Sequence, residues 1–407
     1  QHDIIVFPEL AITGYPPEDL LLRNDLSQAV DNAVEQISAA ASDCVVIVGH
    51  PQHVGGELFN AMSVLHRGEC LLRYFKQRLP NHGVFDEQRY FIPGHESQVF
   101  EWHGVRIGLQ ICEDLWHPEP LQRLAEDDID FVLSINASPY ELNKHEQRLG
   151  VLRQRVSESS KPIVYLNNCG GQDELVFDGH SVVMDDDGQL LAELPHCHTT
   201  LTSLSYKNGK LHCETYPPRE SQNDLANVYD ALVLAVRDYV TKNGFPGVVL
   251  GLSGGIDSSG IAAMARKCVG TEHKIHAFTY CAQDKTLDER EYARSVAEAN
   301  GITMHEIMFS PEEMISDIDE LIKTLGQPFT TPSIYAQARV FRLAAEKGFK
   351  VVLDGQGADE LFGGYHGFKP ARIADGVRGD DWMRNGNWRD YVGGFVRLMP
   401  ESVQYGI

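Results

Sequence analysis

The sequence predicts an α/β protein of two domains in series, the second built on a doubly wound parallel sheet, and three observations carry that prediction. The chain has 407 residues, enough for two cores of ordinary domain size. Short apolar runs alternate with helix-compatible stretches, which is the pattern of strands returning through helical crossovers. Polar and titratable residues gather just after those runs, at the strand ends where α/β sites form.

Composition narrows the function. Apolar residues make up 43% and charged residues 23%, an ordinary balance for a globular protein. A formal net charge of −23 excludes a general nucleic-acid or anionic-membrane surface, because a phosphate backbone needs a compensating basic patch. One bound nucleotide remains compatible with it. The eight cysteines show no CxxC pairs and no regular spacing, so neither a disulfide framework nor a zinc motif is expected, and a reduced cytoplasm is. No apolar run approaches ~18 residues and no signal peptide opens the chain. Gln1 leads directly into a core-type strand, so the front is expected to be a fragment.

In the first half, Ile4–Phe7 is a short buried-type strand that ends in Pro8 and the carboxylate of Glu9. A GYPP turn at 14–17 precedes a helical stretch reaching about Ala40. Cys44–Gly49 is a second strand, and Asn60–Leu65 with Glu69–Phe75 forms a hairpin-like pair that delivers Lys76. Val105–Ile111 delivers Cys112, Glu113 and Asp114, and Phe131–Ile135 and Ile163–Leu166 complete the series.

Glu9, Lys76 and Cys112 thus follow three separate strands, and together they form a set for amide hydrolysis. A carboxylate takes the thiol proton, the thiolate attacks the amide carbon, and an ammonium stabilises the oxyanion. The carboxylic acid then returns its proton to departing ammonia. Taken singly, each has a plainer reading: a helix-start acid, a solvated lysine and a core thiol.

The segments FPELAITGYPPEDLLLR (7–23), YFKQRLPNHGVFDEQRYF (74–91), GLQICEDLWHP (108–118), NASPYELNKHEQR (136–148) and YLNNCGGQDELVFDGHSVVMD (165–185) closely resemble the nitrilase-type glutaminase domain of glutamine-dependent NAD synthetases. That resemblance, over residues 3 to 220, implies a nitrilase-like α-β-β-α sandwich. It implies Glu9 as general base, Lys76 as oxyanion stabiliser and Cys112 as nucleophile. It also implies that Tyr15, Glu113, Ser138 and Lys144 line a glutamine pocket, with Glu87 supporting the lysine. A sheet edge left open before Gln1 is a further expectation, as is a homo-oligomer.

Residues 195–218 are polar and carry the domain boundary. The division expected is 1–205, a linker over 206–222, and 223–407. His196-Cys197-His198 is set aside as a metal motif, since three adjacent residues cannot all face one ion and no fourth ligand is indicated. Asn223–Lys242 reads as an amphipathic helix ended by Asn243-Gly244.

The second half begins with an apolar run, VVLGL (248–252), then a small-residue loop, SGGIDSS, then a helix-compatible run. Gly254 and Gly255 let the backbone fold tightly around an anion, and the helix start adds partial positive charge. Ser253, Ser258 and Ser259 add hydroxyl donors, and Asp257 is placed to hold magnesium on the same phosphates. The loop resembles the pyrophosphate-binding motif of the ATP pyrophosphatase superfamily and lacks the GK[ST] of a Walker loop. Strands at Ile275–Tyr280, Thr303–Phe309 and Lys350–Leu353 alternate with helices at Asp288–Ala299 and Ser333–Lys347.

HAFTYCAQDKTLDEREYARSVAEANGITMHEI (276–307) and FKVVLDGQGADELFGGYHGF (349–368) resemble the synthetase domain of asparagine synthetases. This implies Asp257 and Asp359 as magnesium ligands, Ser253, Gly254, Gly255, Ser258 and Ser259 around pyrophosphate, and Gly355, Gln356, Gly357, Asp359 and Glu360 on the acceptor side. Gln356 stands where that family commonly has an acid, and the chain ends before that family's catalytic lysine.

The function expected is a glutamine-dependent amide ligase that consumes ATP with magnesium and releases AMP and pyrophosphate. Its acceptor is aspartate or a related carboxylate, with nicotinate adenine dinucleotide as the alternative. Because the halves point to different acceptors, a join near residues 253–260 is expected. A glutaminase or amidase beside an inactive ATP domain, and a non-enzymatic nucleotide scaffold, are the other readings open at this stage.

Overall fold

The computed structural model describes residues 2–213, 224–245, 249–253, 255–285, 288–329 and 331–358. The chain divides into two compact units, Gln1–Gly244 and Phe245–Ile407.

The first unit opens with β1 (Ile4–Val6), α1 (Asn24–Ala40), β2 (Val45–Val54), β3 (Glu57–His66) and β4 (Glu69–Phe75). These strands form one sheet in chain order, with β1 parallel to β2 and the other pairs antiparallel. Next come β5 (Val99–Trp102), β6 (Val105–Ile111), α2 (Pro118–Ala125), β7 (Phe131–Asn136), α3 (Lys144–Ser159) and β8 (Ile163–Asn167). A short antiparallel pair, β9 (Cys169–Gln172) and β10 (Leu175–Asp178), precedes β11 (Val182–Met184) and β12 (Leu190–Glu193). The second sheet runs β12-β11-β8-β7-β6-β5, with β6, β7 and β8 parallel at its centre.

Side-chain alternation with period two explains the layering. Val45 and Ile47 of β2 face Ile107, Leu109 and Ile111 of β6 in a core between the sheets. Val46 and Val48 turn outward onto Val30 and Val34 of α1. On the far side, Val132 and Ile163 pack under Leu121 and Leu124 of α2 and Leu152 and Val156 of α3. The layers are therefore helix, sheet, sheet, helix, as expected for a nitrilase-like sandwich. β1 is an edge strand of its sheet, with Ile5 and Phe7 exposed beside it.

The stretch read as linker starts with structure of its own, the hairpin β13 (Leu204–Lys207) and β14 (Lys210–Cys213). The helix expected over 223–242 is present as α4 (Asp224–Lys242), but it packs on β9 and β10 and so groups with the first unit. Gly171 of β9 admits it, since a Cβ there would lie 3.0 Å from the Ala235 backbone. Asp238 accepts a hydrogen bond from Gly171 N at 2.9 Å.

The second unit contains β15 (Val249–Gly251), α5 (Ile256–Val269), β16 (His276–Tyr280), α6 (Arg290–Ala299), β17 (Thr303–Ile307), α7 (Pro311–Leu325), α8 (Pro332–Glu346) and β18 (Val352–Leu353). The four strands are parallel in the order β17-β16-β15-β18. Ala262 and Ala265 of α5 with Ala293 and Ala297 of α6 cover one face, and Val340 and Ala344 of α8 cover the other. This is the doubly wound sheet expected, and its order reverses between β15 and β18. β18 is shorter than the predicted Lys350–Leu353, and α5 begins inside the serine loop, earlier than the run after Gly260 suggested. Among the described residues, no helix is long and apolar enough to cross a membrane.

Candidate active site

Four strands of the first unit end side by side, and the titratable residues that follow them meet. Glu9 follows β1, Lys76 follows β4, Cys112 follows β6 and Ala137 follows β7. Lys76 Nζ donates to Glu9 Oε1 at 2.6 Å and to Glu87 Oε1 at 2.7 Å, and all three side chains are buried. Asn60 Nδ2 donates to Glu9 Oε1 at 2.8 Å, and the Ala137 N–H donates to Glu9 Oε2 at 2.8 Å. The general-base candidate is thus held through both oxygens by groups from three other segments.

Electrostatics follow from that burial. Desolvation opposes charge on Lys76, but Glu87 and Glu9 outweigh it and raise the ammonium well above its ordinary range. One cation between two carboxylates leaves an excess negative charge. Burial, reinforced by Glu9 and partly offset by Lys76, pushes Glu87 up to about 7. Burial first and Glu9 second push the Cys112 thiol well up, against the pull of Lys76. The same burial favours a neutral thiol over a standing thiolate at Cys112.

Cys112 opens a 3-10 turn (Cys112–Trp116) with φ of +45°, a sterically costly backbone for a residue bearing a Cβ. Asp114 holds the turn in place. Its Oδ1 accepts from the Gln77 and Arg78 N–H groups at 2.9 and 2.8 Å, and its Oδ2 accepts from Tyr74 O–H at 2.7 Å and Ile111 N–H at 3.1 Å. One carboxylate thereby ties the cysteine turn to the strand end carrying Lys76.

The residues implied as glutamine-binding divide into two groups. Tyr15 is buried and donates to Glu87 Oε1 at 2.7 Å, joining the lysine network. A cavity of about 160 Å³ reaches Tyr15 and Glu87 past Pro16, Val84 and Arg89, and its lining does not include Glu9, Lys76 or Cys112. Glu113, next to Cys112, is 3.3 Å from His117 Nε2. Lys144 begins α3, with Nζ 4.8 Å over the Trp116 ring and 3.4 Å from Glu141. Ser138 is fixed through its backbone: its N–H donates to Asn167 Oδ1 at 2.9 Å, and its carbonyl accepts from Arg148 Nη2 at 3.2 Å. Arg148 is itself buried and paired with Asp178 at 3.0 Å.

In the second unit, the SGGIDSS loop connects β15 to α5. Ser253 Oγ and Ser258 Oγ are 3.0 Å apart, Ser253 Oγ accepts from Gly255 N–H at 3.2 Å, and Ser259 Oγ donates to Gly255 O at 2.6 Å. Gly355, after β18, lies against this loop: a Cβ there would be 3.2 Å from Ser258 N and 3.3 Å from the Asp257 Cβ. The serine loop and Gly355 therefore flank the reversal in strand order, where α/β sheets bind ligands. Gln356 and Gly357 form the exposed turn beyond. Gly254, Asp359 and Glu360 lie outside the described residues.

Comparison with known proteins agrees with both halves. The carbon-nitrogen hydrolase family matches residues 1–204, and the asparagine synthase family matches residues 227–403. The glutamine-dependent NAD(+) synthetase of Xanthomonas campestris pv. campestris is 36% identical over 99% of this chain and 75% of its own length. This chain belongs to the glutamine-dependent NAD(+) synthetase family. The Acinetobacter baylyi family member is 38% identical over 76% of this chain, which spans 58% of that relative's length. The solved glutamine-dependent NAD+ synthetase from Acinetobacter baumannii in complex with ADP is 35% identical. It covers 89% of this chain, 69% of its own chain is covered, and the TM-score is 0.74. Since one NAD(+) synthetase aligns across 99% of the chain, the same kind of relative accounts for both halves. The join expected near residues 253–260 is therefore not needed.

Proposed function

We propose that this chain is a glutamine-dependent, ATP-consuming amide ligase that amidates the nicotinate carboxylate of nicotinate adenine dinucleotide. The observation that carries the reading is the buried Glu9–Lys76–Glu87 network beside the strained Cys112 turn, in a chain that also bears the serine loop. The glutaminase would occupy the first unit, α4 included, and the synthetase the second. The acceptor preference shifts from aspartate because the relatives matched across both halves are NAD(+) synthetases.

In the first half-reaction, Glu9 takes the Cys112 proton as sulfur attacks the glutamine amide carbon. Two of the three Lys76 ammonium hydrogens are committed to Glu9 and Glu87, which leaves one for the oxyanion. Collapse of the intermediate expels ammonia, protonated by Glu9, and water then releases glutamate from the thioester. Tyr15, Glu113, Ser138 and Lys144 would hold the substrate's other groups.

In the second half-reaction, the acceptor carboxylate attacks the α-phosphate of ATP, pyrophosphate leaves, and ammonia displaces AMP from the acyl adenylate. The N–H groups at the start of α5 and the hydroxyls of Ser253, Ser258 and Ser259 suit the phosphates. Asp257 and these hydroxyls are hard oxygen donors of the type magnesium takes, with Asp359 as the second proposed ligand. Magnesium, when bound, would neutralise phosphate charge. Gly355, Gln356, Gly357 and Glu360 are proposed on the acceptor side. Eight cysteines with no disulfide among the described residues fit a reduced cytoplasm.

The test is pyrophosphate release from magnesium ATP with nicotinate adenine dinucleotide or aspartate as acceptor, and glutamine or ammonium as nitrogen source. Release with the dinucleotide from both nitrogen sources is expected, with Cys112→Ala losing only the glutamine-driven part. No release with either acceptor, alongside glutamate production that disappears in Cys112→Ala, would leave a glutaminase and overturn the ligase reading.

A further inference from the structure

Three histidines far apart in sequence stack behind the Arg148–Asp178 pair. His145 is on α3, His180 is in the turn between β10 and β11, and His196 follows β12. The His145 and His180 ring centroids are 4.1 Å apart, and those of His180 and His196 are 4.8 Å apart. Glu193, the last residue of β12, faces two of them: its Oε1 is 3.0 Å from His145 Nε2 and 3.7 Å from His180 Nε2.

We propose that His145, His180 and Glu193 form a three-ligand site for a divalent transition-metal ion of the zinc type. Zinc binds imidazole nitrogen and carboxylate oxygen at about 2.0–2.1 Å, so neighbouring ligand atoms of a tetrahedron lie about 3.3 Å apart. The two measured separations bracket that value, and one ligand atom from each of the three residues lies within 4.8 Å of the others. Two imidazoles at stacking distance repel if both are protonated, and neutral imidazole is the metal-binding form.

The surroundings select this trio. Asp178, His180 and His196 also cluster, but Asp178 is committed to Arg148 through both oxygens, at 3.0 and 3.3 Å. It serves better as an outer partner: its Oδ2 lies 3.4 Å from His180 Nδ1, the carboxylate-behind-imidazole arrangement that orients metal-bound histidines. The Nε2 atoms of His145 and His180 both face Glu193, while His180 Nδ1 points to Asp178 and His145 Nδ1 is buried with no hydrogen-bond partner among the described residues. Side-chain exposures of 13–26% give the ion an entry route and leave water for a fourth position. Such an ion would tie α3, the β10–β11 turn and β12 together. The His196-Cys197-His198 triplet is not itself the site.

The test is a zinc titration of the full chain carrying Cys112→Ala, to remove the nucleophilic thiol, against a chromophoric chelator. Cobalt(II) spectra would report tetrahedral coordination. One equivalent should bind, and His180→Asn, His145→Gln and Glu193→Gln should each weaken binding by about 100-fold or more. Asparagine suits position 180 because φ there is +49°. Melting in chelator identifies any variant that fails to fold, and the other two variants then decide. Absence of stoichiometric binding, or equal affinity in the folded variants, would overturn the proposal.

Discussion

Glu87 is the residue through which pH should act most directly on the first unit. Its folded pKa of about 7 lies above the ordinary glutamate range near ~4.3, so between these values the native state binds a proton that the unfolded chain has lost. Stability from this group is therefore full below about 4 and falls as pH rises toward 7, by up to about 3 kcal/mol. Urea denaturation across pH 4 to 7 should show Glu87→Gln with a flatter profile than the parent; identical slopes would refute the assignment. Glu9 offers a second residue-level test. Glu9→Gln removes a charge that raises the Cys112 thiol pKa, so iodoacetamide should modify Cys112 at lower pH in the variant. Glutamine hydrolysis should nevertheless fall by about 10²–10⁴ if Glu9 is the base. Reactivity and turnover falling together would leave Glu9 a merely structural role. Glu9, Lys76 and Cys112 were legible in sequence because each follows an apolar strand run. Asn60, Asp114, Arg148 and Asp178 were not, because Glu9 for Asn60, Arg78 for Asp114 and each other for Arg148 and Asp178 lie 30 to 51 residues away with no periodicity linking them.

At the scale of elements, Gly49 shows how strand geometry places Glu9. A Cβ there would lie 2.5 Å from Leu10 N, 2.6 Å from Pro8 O and 2.8 Å from Glu9 Cα, all backbone that cannot swing aside. Gly49→Ala should therefore displace β2 or the Pro8–Leu10 segment, cost about 1–3 kcal/mol in denaturant stability and reduce glutaminase kcat. Ammonium-driven pyrophosphate release should be spared. An unchanged kcat in a folded variant would mean that the close approach does not position Glu9. Strands buried on both faces were the easiest elements to read. α3 was missed because two of its buried positions are arginines, Arg148 and Arg155, which break the apolar stripe. β9 was missed because CGGQ carries almost no β propensity. For α7 a signal was present: Ser310 caps the helix by accepting from Glu313 N–H, and the Glu313 side chain returns the bond.

At the scale of the molecule, the sequence points to the chemistry proposed for the second half more directly than to its acceptor. SGGIDSS and the glycine after β18 are proposed to handle ATP, a task common to several ligases, and such a loop does not encode which carboxylate is adenylated. The acceptor reading rests instead on relatives that align across both units. Ligand linkage then gives a whole-chain prediction. Magnesium ATP at about 100 times its Kd should stabilise the unit that binds it by about 2.7 kcal/mol. In calorimetry, the transition shifted by ATP should be the one lost when Asp257→Ala is introduced, and it should be insensitive to Cys112→Ala. A shift that survives Asp257→Ala unchanged would place the nucleotide elsewhere, and with it the adenylation half of the reaction. A shift abolished by Asp257→Ala while glutaminase activity persists would locate the two halves of the chemistry in separate units of one chain.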